Sequence, residues 1–157
     1  MNHAVRLALL FIALVFAPVF LVRAGTGPRI VVIVAKGSPI TDISKSDLKQ
    51  LFVSDATSVS GRKVFPFNFD SKTPQRVAFD RAVLGMGPDE VGRFWIDRKI
   101  RGQRNAPRSV PSAAYMTKLV QTFPNAIGYL EMSELTPVVQ AVNVNGLHYK
   151  DARYPLQ

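Results

Sequence analysis

Two hydrophobic patterns alternate along this chain from residue 29 onwards. Residues 29–35, Arg-Ile-Val-Val-Ile-Val-Ala, form a continuous β-branched run, which predicts a buried central strand. Leu48, Leu51 and Phe52 then repeat at helical spacing behind a Ser44 cap, which predicts a short helix. The same two patterns predict further strands at about 64–69, 126–130 and 138–144, and further helices at about 73–85, 87–102 and 111–123. This alternation predicts an α/β fold, a small mixed sheet flanked by helices.

Polar segments separate these elements. Residues 54–63 are rich in Ser, Thr and Gly, which is typical of a surface loop, and residues 103–108 form a second predicted loop. We found no internal repeat or low-complexity segment in the sequence.

Residues 64–79 contain the most informative change from strand to helix. Pro66 within the strand pattern predicts an edge position or a bulge. Thr73 is the predicted N-cap of the next helix, and Pro74 its first residue. A turn of this kind directs backbone N–H groups and the positive end of the helix dipole at one spot, which suits an oxyanion. The alternative is an ordinary strand–helix unit without a ligand.

The first 24 residues have the pattern of an export signal. Arg6 gives a positive start, residues 7–22 form an uncharged apolar run, and residues 22–24 fit a small-residue cleavage site. The run contains Pro18 and is shorter than the roughly 20 residues that span a bilayer. We therefore expect residues 1–24 to be a signal peptide and residues 25–157 to be a single periplasmic domain. The alternative is an uncleaved anchor in the inner membrane.

Composition narrows the range of functions. The chain has no cysteine, so packing rather than disulfides must stabilise it, and a zinc site is not expected. Lys and Arg outnumber Asp and Glu by 20 to 11. In an exported protein this excess favours small anions, an anionic membrane or an acidic partner.

A dense basic cluster lies at residues 93–108 but has no interleaved exposed aromatic residues, so nucleic acid is not an expected partner. It is either a solvated face or a docking surface, and its members are Arg93, Arg98, Lys99, Arg101, Arg104 and Arg108.

The sequence contains none of the common catalytic motifs. Its two histidines are His3 in the leader and His148 near the C-terminus, so a histidine-based acid–base pair is not available. It has no Gly-x-Ser-x-Gly, no phosphate loop and no dinucleotide fingerprint. We expect a protein that is not an enzyme and that carries no cofactor or metal.

Three segments carry a family resemblance: the turn and helix at residues 38–52, residues 124–130 (Pro-Asn-Ala-Ile-Gly-Tyr-Leu), and the strand at residues 139–146. They resemble, in this order, the turn and helix after the first hinge strand, the Pro-Gly-Ala-Ile-Gly-Tyr-Val segment and the return strand of the phosphate-binding proteins of ABC transporters. Phe94-Trp95, Gly102 and Pro107 resemble a short single-lobe subgroup of the same family. The resemblance implies one lobe of a type II periplasmic-binding-protein fold.

The resemblance also implies an oxyanion site at the start of the helix that Thr73 caps. The family turn is Arg-Asp-x-x-Ser-Gly-Thr; here Asp70 matches, while Phe69 replaces Arg, Thr73 replaces Ser, Pro74 replaces Gly and Gln75 replaces Thr. By resemblance, Asp70 would accept a hydrogen bond from a protonated phosphate. The candidate ligand-binding residues are Ser38, Asp70, Ser71, Thr73, Gln75 and Arg76.

Two functions follow from these observations. The first is an exported solute-binding protein for phosphate or a similar oxyanion, with a transporter permease as partner and a homodimer as one way to supply a second lobe. The second is an adaptor that binds no anion and docks on a partner protein or an anionic membrane through its basic face.

Overall fold

The computed structural model describes residues 27–156, and the expected signal peptide at residues 1–24 lies outside the described residues. The described elements, in chain order, are β1 (Ile30–Ala35), β2 (Asp42–Ile43), α1 (Lys45–Val53), β3 (Ser58–Val59), β4 (Arg62–Lys63), β5 (Phe65–Phe69), α2 (Pro74–Phe79), a π-helical segment (Asp80–Leu84), α3 (Pro88–Ile100), β6 (Arg108–Val110), α4 (Ala113–Thr122), β7 (Ala126–Glu131), a 3₁₀ turn (Met132–Glu134), β8 (Val139–Ala141) and β9 (Asn143–Val144).

Five strands form one mixed sheet in the order β6-β5-β7-β1-β8. β5 is parallel to both β6 and β7, whereas β1 is antiparallel to both β7 and β8. Every residue of β1 is buried, as its continuous apolar run predicts. The α/β class and the small mixed sheet are therefore confirmed.

A buried aromatic cluster joins the sheet to α1 and α2. The ring of Tyr129 on β7 stacks on that of Phe79 with centroids 3.9 Å apart, and Phe52 and Phe69 pack against it at 6.1 and 5.3 Å. The Tyr129 hydroxyl donates to Oδ1 of Asn68 at 2.7 Å, so this buried polar group is satisfied. The cluster fixes the position of α2 relative to the end of β5.

The signals at the helix ends behave as the sequence predicts. Ser44 caps α1 by accepting a hydrogen bond from the backbone of Asp47 at 2.9 Å, and Thr73 caps α2. Gly85, with φ of 73°, ends the helix that begins at Pro74, although its second half is π-helical. None of the helices within residues 27–156 is long and apolar enough to cross a membrane.

The sequence patterns did not predict the short strands. The predicted loop at residues 54–63 contains the hairpin β3–β4, whose two-residue turn has φ of 50° at Ser60 and 75° at Gly61. The predicted loop at 103–108 runs directly into β6. The predicted strand at 138–144 divides into β8, on the main sheet, and β9, which pairs with β2.

The edge position predicted for the strand around Pro66 is wrong, because β5 lies between β6 and β7. Pro66 nevertheless has a strand partner on one side only. Its register partner is Ile127 on β7, while the pairing with β6 begins at Phe67. Proline has no backbone N–H to donate, and at Pro66 the only strand paired with β5 is β7.

Candidate functional site

The sheet topology separates Ser38 from the other five candidate residues. β1 is antiparallel to β7, while β5 is parallel to it, so β1 and β5 run in opposite directions. Ser38 follows the end of β1 and Asp70 follows the end of β5. These two residues consequently lie at opposite ends of the sheet, and one small anion cannot contact both.

The turn between β5 and α2 carries Asp70, Ser71 and Lys72, all exposed. The Thr73 hydroxyl donates to the Asp70 carbonyl at 2.9 Å and accepts from the Arg76 N–H at 3.3 Å. The proton of the Thr73 hydroxyl is therefore already used in a hydrogen bond within the protein. The backbone N–H groups of Ser71, Lys72 and Gln75 make no hydrogen bond to another described residue, so they remain available to a ligand.

Arg76 is buried and held from two sides. Its Nε donates to Oδ2 of Asp80 at 2.6 Å, and its Nη1 donates to the Phe69 carbonyl at 3.1 Å. Nη2 has no hydrogen-bond partner within residues 27–156. Burial raises the pKa of Asp80 above its ordinary value, although the positive charge of Arg76 opposes that shift.

A cavity of about 610 Å³ adjoins this arginine. The turn residues and Arg76 form one side of it, and Trp95 and Asp89 from α3 contribute to the other. Asp80 and Trp95 also line the cavity, and Oδ1 of Asp80 and Nε1 of Trp95 are buried without a hydrogen-bond partner among the described residues. We call this cavity and the turn at residues 70–73 the α2 cleft.

Charge in the α2 cleft is close to balanced. Lys72 and Arg76 supply positive charge, while Asp70, Asp80 and Asp89 supply negative charge. An anion would therefore be held by directed N–H donors and not by a net positive field. A protonated oxyanion suits such a site best, because its O–H group can donate to a carboxylate.

Gln75 forms a hydrogen bond with Glu134, a residue that the sequence patterns did not indicate. Its Nε2 lies 3.3 and 3.4 Å from the two carboxylate oxygens of Glu134, which follows β7 in the 3₁₀ turn. Glu134 also accepts from the N–H of Glu131 at 3.3 Å. Its negative charge thus lies close to the first turn of α2, where the helix dipole favours negative charge.

Half of the basic cluster at residues 93–108 has a structural role. Arg98 pairs with Asp55 at 3.3 Å, and Arg104 donates to the carbonyls of Ser54 and Ala56 at 3.2 and 3.1 Å. These contacts attach α3 and the loop after it to the segment after α1. Arg101 pairs with Asp97 on its own helix, whereas Arg93, Lys99 and Arg108 remain exposed.

No group of three or more His, Cys, Asp or Glu residues in the described part of the chain is placed to hold a metal ion.

The sequence matches no protein-family model and no curated protein. Solved structures with similar folds do exist. An ABC-type phosphate transport receptor from Vibrio cholerae has a TM-score of 0.67 at 18% identity, and the match covers 82% of this chain and 53% of that chain.

The fold is that of about half of a phosphate-transport receptor. A putative phosphate ABC transporter substrate-binding protein with bound phosphate, from Clostridium perfringens, gives a TM-score of 0.62 at 21% identity over 78% of this chain and 47% of that chain. PstS from Borrelia burgdorferi gives 0.59 at 16% identity, with 77% and 49% covered. This chain therefore spans about half the length of these proteins, which confirms the one-lobe fold predicted from the sequence.

Proposed function

We propose that this protein binds phosphate or a similar oxyanion in the α2 cleft. The observation that carries the proposal is the placement of Arg76. The arginine is buried and lines the cavity, its orientation is fixed by Asp80 and the Phe69 carbonyl, and its Nη2 has no hydrogen-bond partner among residues 27–156. A guanidinium held in this way loses little entropy when it binds an oxyanion.

The other contacts come from the turn. The N–H groups of Ser71 and Lys72 would donate to two ligand oxygens, and the Ser71 hydroxyl would add a third donor. Asp70 would accept a hydrogen bond from the O–H group of a protonated phosphate, a contact that sulfate cannot make near neutral pH. Thr73 and Gln75 position the turn through their own bonds and contribute little directly. Ser38 lies outside this site.

The similar solved structures support the cellular role that we propose. They are described as phosphate transport receptors or substrate-binding proteins of ABC transporters, and they are binding proteins and not enzymes. We infer that this chain is an exported, periplasmic binding protein that serves phosphate uptake and has a membrane permease as its partner. This chain spans about half of the similar chains, and we propose a homodimer as the source of a second lobe.

Calorimetric titration of the purified protein with phosphate tests this proposal, with sulfate as the control anion. We expect phosphate to bind and sulfate to be ignored. Asp70→Asn should weaken phosphate binding by about tenfold, the size of one lost charge-assisted hydrogen bond. Asp47→Asn removes an equal charge from α1 and should leave binding unchanged. No binding of either anion, or equal losses in both variants, would overturn the α2 cleft as the site.

A second candidate function rests on the outer face of α3. Ile96 and Ile100 are 61% and 79% exposed, and Arg93 and Lys99 lie exposed near them on the same helix. Exposed apolar side chains beside cations are typical of a docking surface. In that case the protein is an adaptor that docks on a partner protein or an anionic membrane. Its association should be lost in Ile96→Ser/Ile100→Ser, with phosphate binding unaffected.

A further inference from the structure

A second cavity, of about 450 Å³, lies at the end of the sheet opposite to the α2 cleft. It is bounded by the turn after β1, by β4 and by the segment after α4. Its charged lining residues are Lys36, Arg62 and Lys63, and no acidic residue lines it. We call it the basic cavity.

The topology brings these three cations together from distant parts of the sequence. β5 begins beside the start of β7, where the Phe65 N–H donates to the Asn125 carbonyl at 2.8 Å. β1 ends at the same place, because Val34 pairs with Ile127. The cations just before β5 and just after β1 therefore flank one opening, although nothing local in the sequence relates them.

Uncharged polar groups complete the lining. The Ser38 oxygen accepts from the N–H of Ile40 at 3.3 Å, so its hydroxyl proton is available to donate. The side chains of Gln121 and Asn125 also line the basic cavity. Together with the three cations they give the basic cavity a positive charge and mostly hydrogen-bond donors. In the α2 cleft, by contrast, positive and negative charges are nearly balanced.

Three like charges around one opening create a positive potential that attracts anions, most strongly at low ionic strength. An arginine and two lysines suit phosphoryl oxygens, because the guanidinium binds two of them at once and each ammonium adds a point charge. The volume falls within the roughly 300–1,000 Å³ of small-molecule sites and exceeds what a single phosphate fills. A ligand that fills this volume would have more than one phosphoryl group, or one phosphoryl group with an organic part.

We propose that the basic cavity binds such a phosphoryl-bearing ligand, which is either a soluble oligophosphate or the headgroup of an anionic phospholipid. This site is independent of the α2 cleft. Ser38, predicted as an oxyanion ligand, belongs to it through its place in the lining.

The test uses two probes and two matched double variants of the full chain. The probes are inorganic tripolyphosphate, measured by calorimetry, and phosphatidylcholine vesicles with or without phosphatidylglycerol, measured by cosedimentation. Arg62→Gln/Lys63→Gln removes two charges from the basic cavity. Lys49→Gln/Lys150→Gln removes two exposed charges that do not line it. Thermal unfolding of both variants checks that they are folded.

We expect the wild type to bind at least one probe, the cavity variant to bind it at least about tenfold more weakly, and the control variant to bind it like the wild type. Binding of tripolyphosphate alone assigns a soluble ligand, and binding of the anionic vesicles alone assigns a headgroup. Asp70→Asn should not affect this binding, which separates the basic cavity from the α2 cleft. No binding of either probe, or equal losses in the two double variants, would overturn the proposal.

Discussion

The Nε atom of Arg76 lies 2.6 Å from Oδ2 of Asp80, one helical turn further along, and both side chains are about 95% buried. A buried ion pair of this kind stabilises little compared with apolar packing, but it fixes the direction of the arginine. In this protein the fixed arginine adjoins the cavity beside the turn at residues 70–73. The pair therefore connects the stability of α2 with the anion binding that we propose for the α2 cleft.

Removing one partner of this pair should be far more costly than removing both. Arg76→Met leaves the Asp80 carboxylate buried and unpaired, and we expect it to lower the free energy of unfolding by about 3–5 kcal/mol. Arg76→Met/Asp80→Leu should recover most of that loss while phosphate binding stays absent. Urea denaturation and phosphate titration of both variants measure the two effects. A single variant as stable as the wild type would show that the pair is not desolvated in solution.

The negative charge of Glu134 should weaken anion binding. Its carboxylate accepts from Gln75 in the first turn of α2, so Glu134→Gln should strengthen phosphate binding several-fold. Calorimetry at low ionic strength shows the change best, because salt screens the charge. Asp47→Asn serves as the control, since it removes an equal charge from α1 and not from the surroundings of α2. Unchanged or weaker binding in Glu134→Gln would contradict this role.

Close packing of α4 against β7 should make Gly128 sensitive to substitution. A Cβ at this position would collide with the side chain of Met116, which is fully buried on α4. We expect Gly128→Ala to lower the free energy of unfolding by about 1–3 kcal/mol through overpacking. Gly92→Ala on α3 is the matched control. It meets open space and should be neutral or stabilising by up to about 1 kcal/mol.

Alkaline pH should destabilise the protein through Tyr154. Burial raises the pKa of the Tyr154 phenol from its ordinary value of 10 to about 12. Between these two values the unfolded chain loses the proton that the folded chain keeps, so stability falls as the pH rises from 10 to 12. Tyr154→Phe should flatten that fall. Denaturation measured at several pH values between 9 and about 12 tests it; an identical slope in the variant would refute the assignment.

Local signals predicted the elements around the site correctly. Thr73 and Pro74 begin α2, and Gly85 ends the helix, because caps and left-handed glycines act within a few residues. β6 was missed because three residues, Arg108–Val110, are too few to show a period. The contact between Gln75 and Glu134 has no local signal, since 59 residues separate the two.

The sequence by itself determined the helices and the longer strands, the α/β class and the cap at the start of α2. These features depend on hydrophobic period and on hydrogen bonds between residues close in the chain. Only the tertiary structure decided which loops share an end of the sheet. Because β1 and β5 run in opposite directions, Ser38 lies beside Lys36, Arg62 and Lys63 and away from Asp70. Strand direction is set by long-range pairing, so no pattern within one segment reveals it.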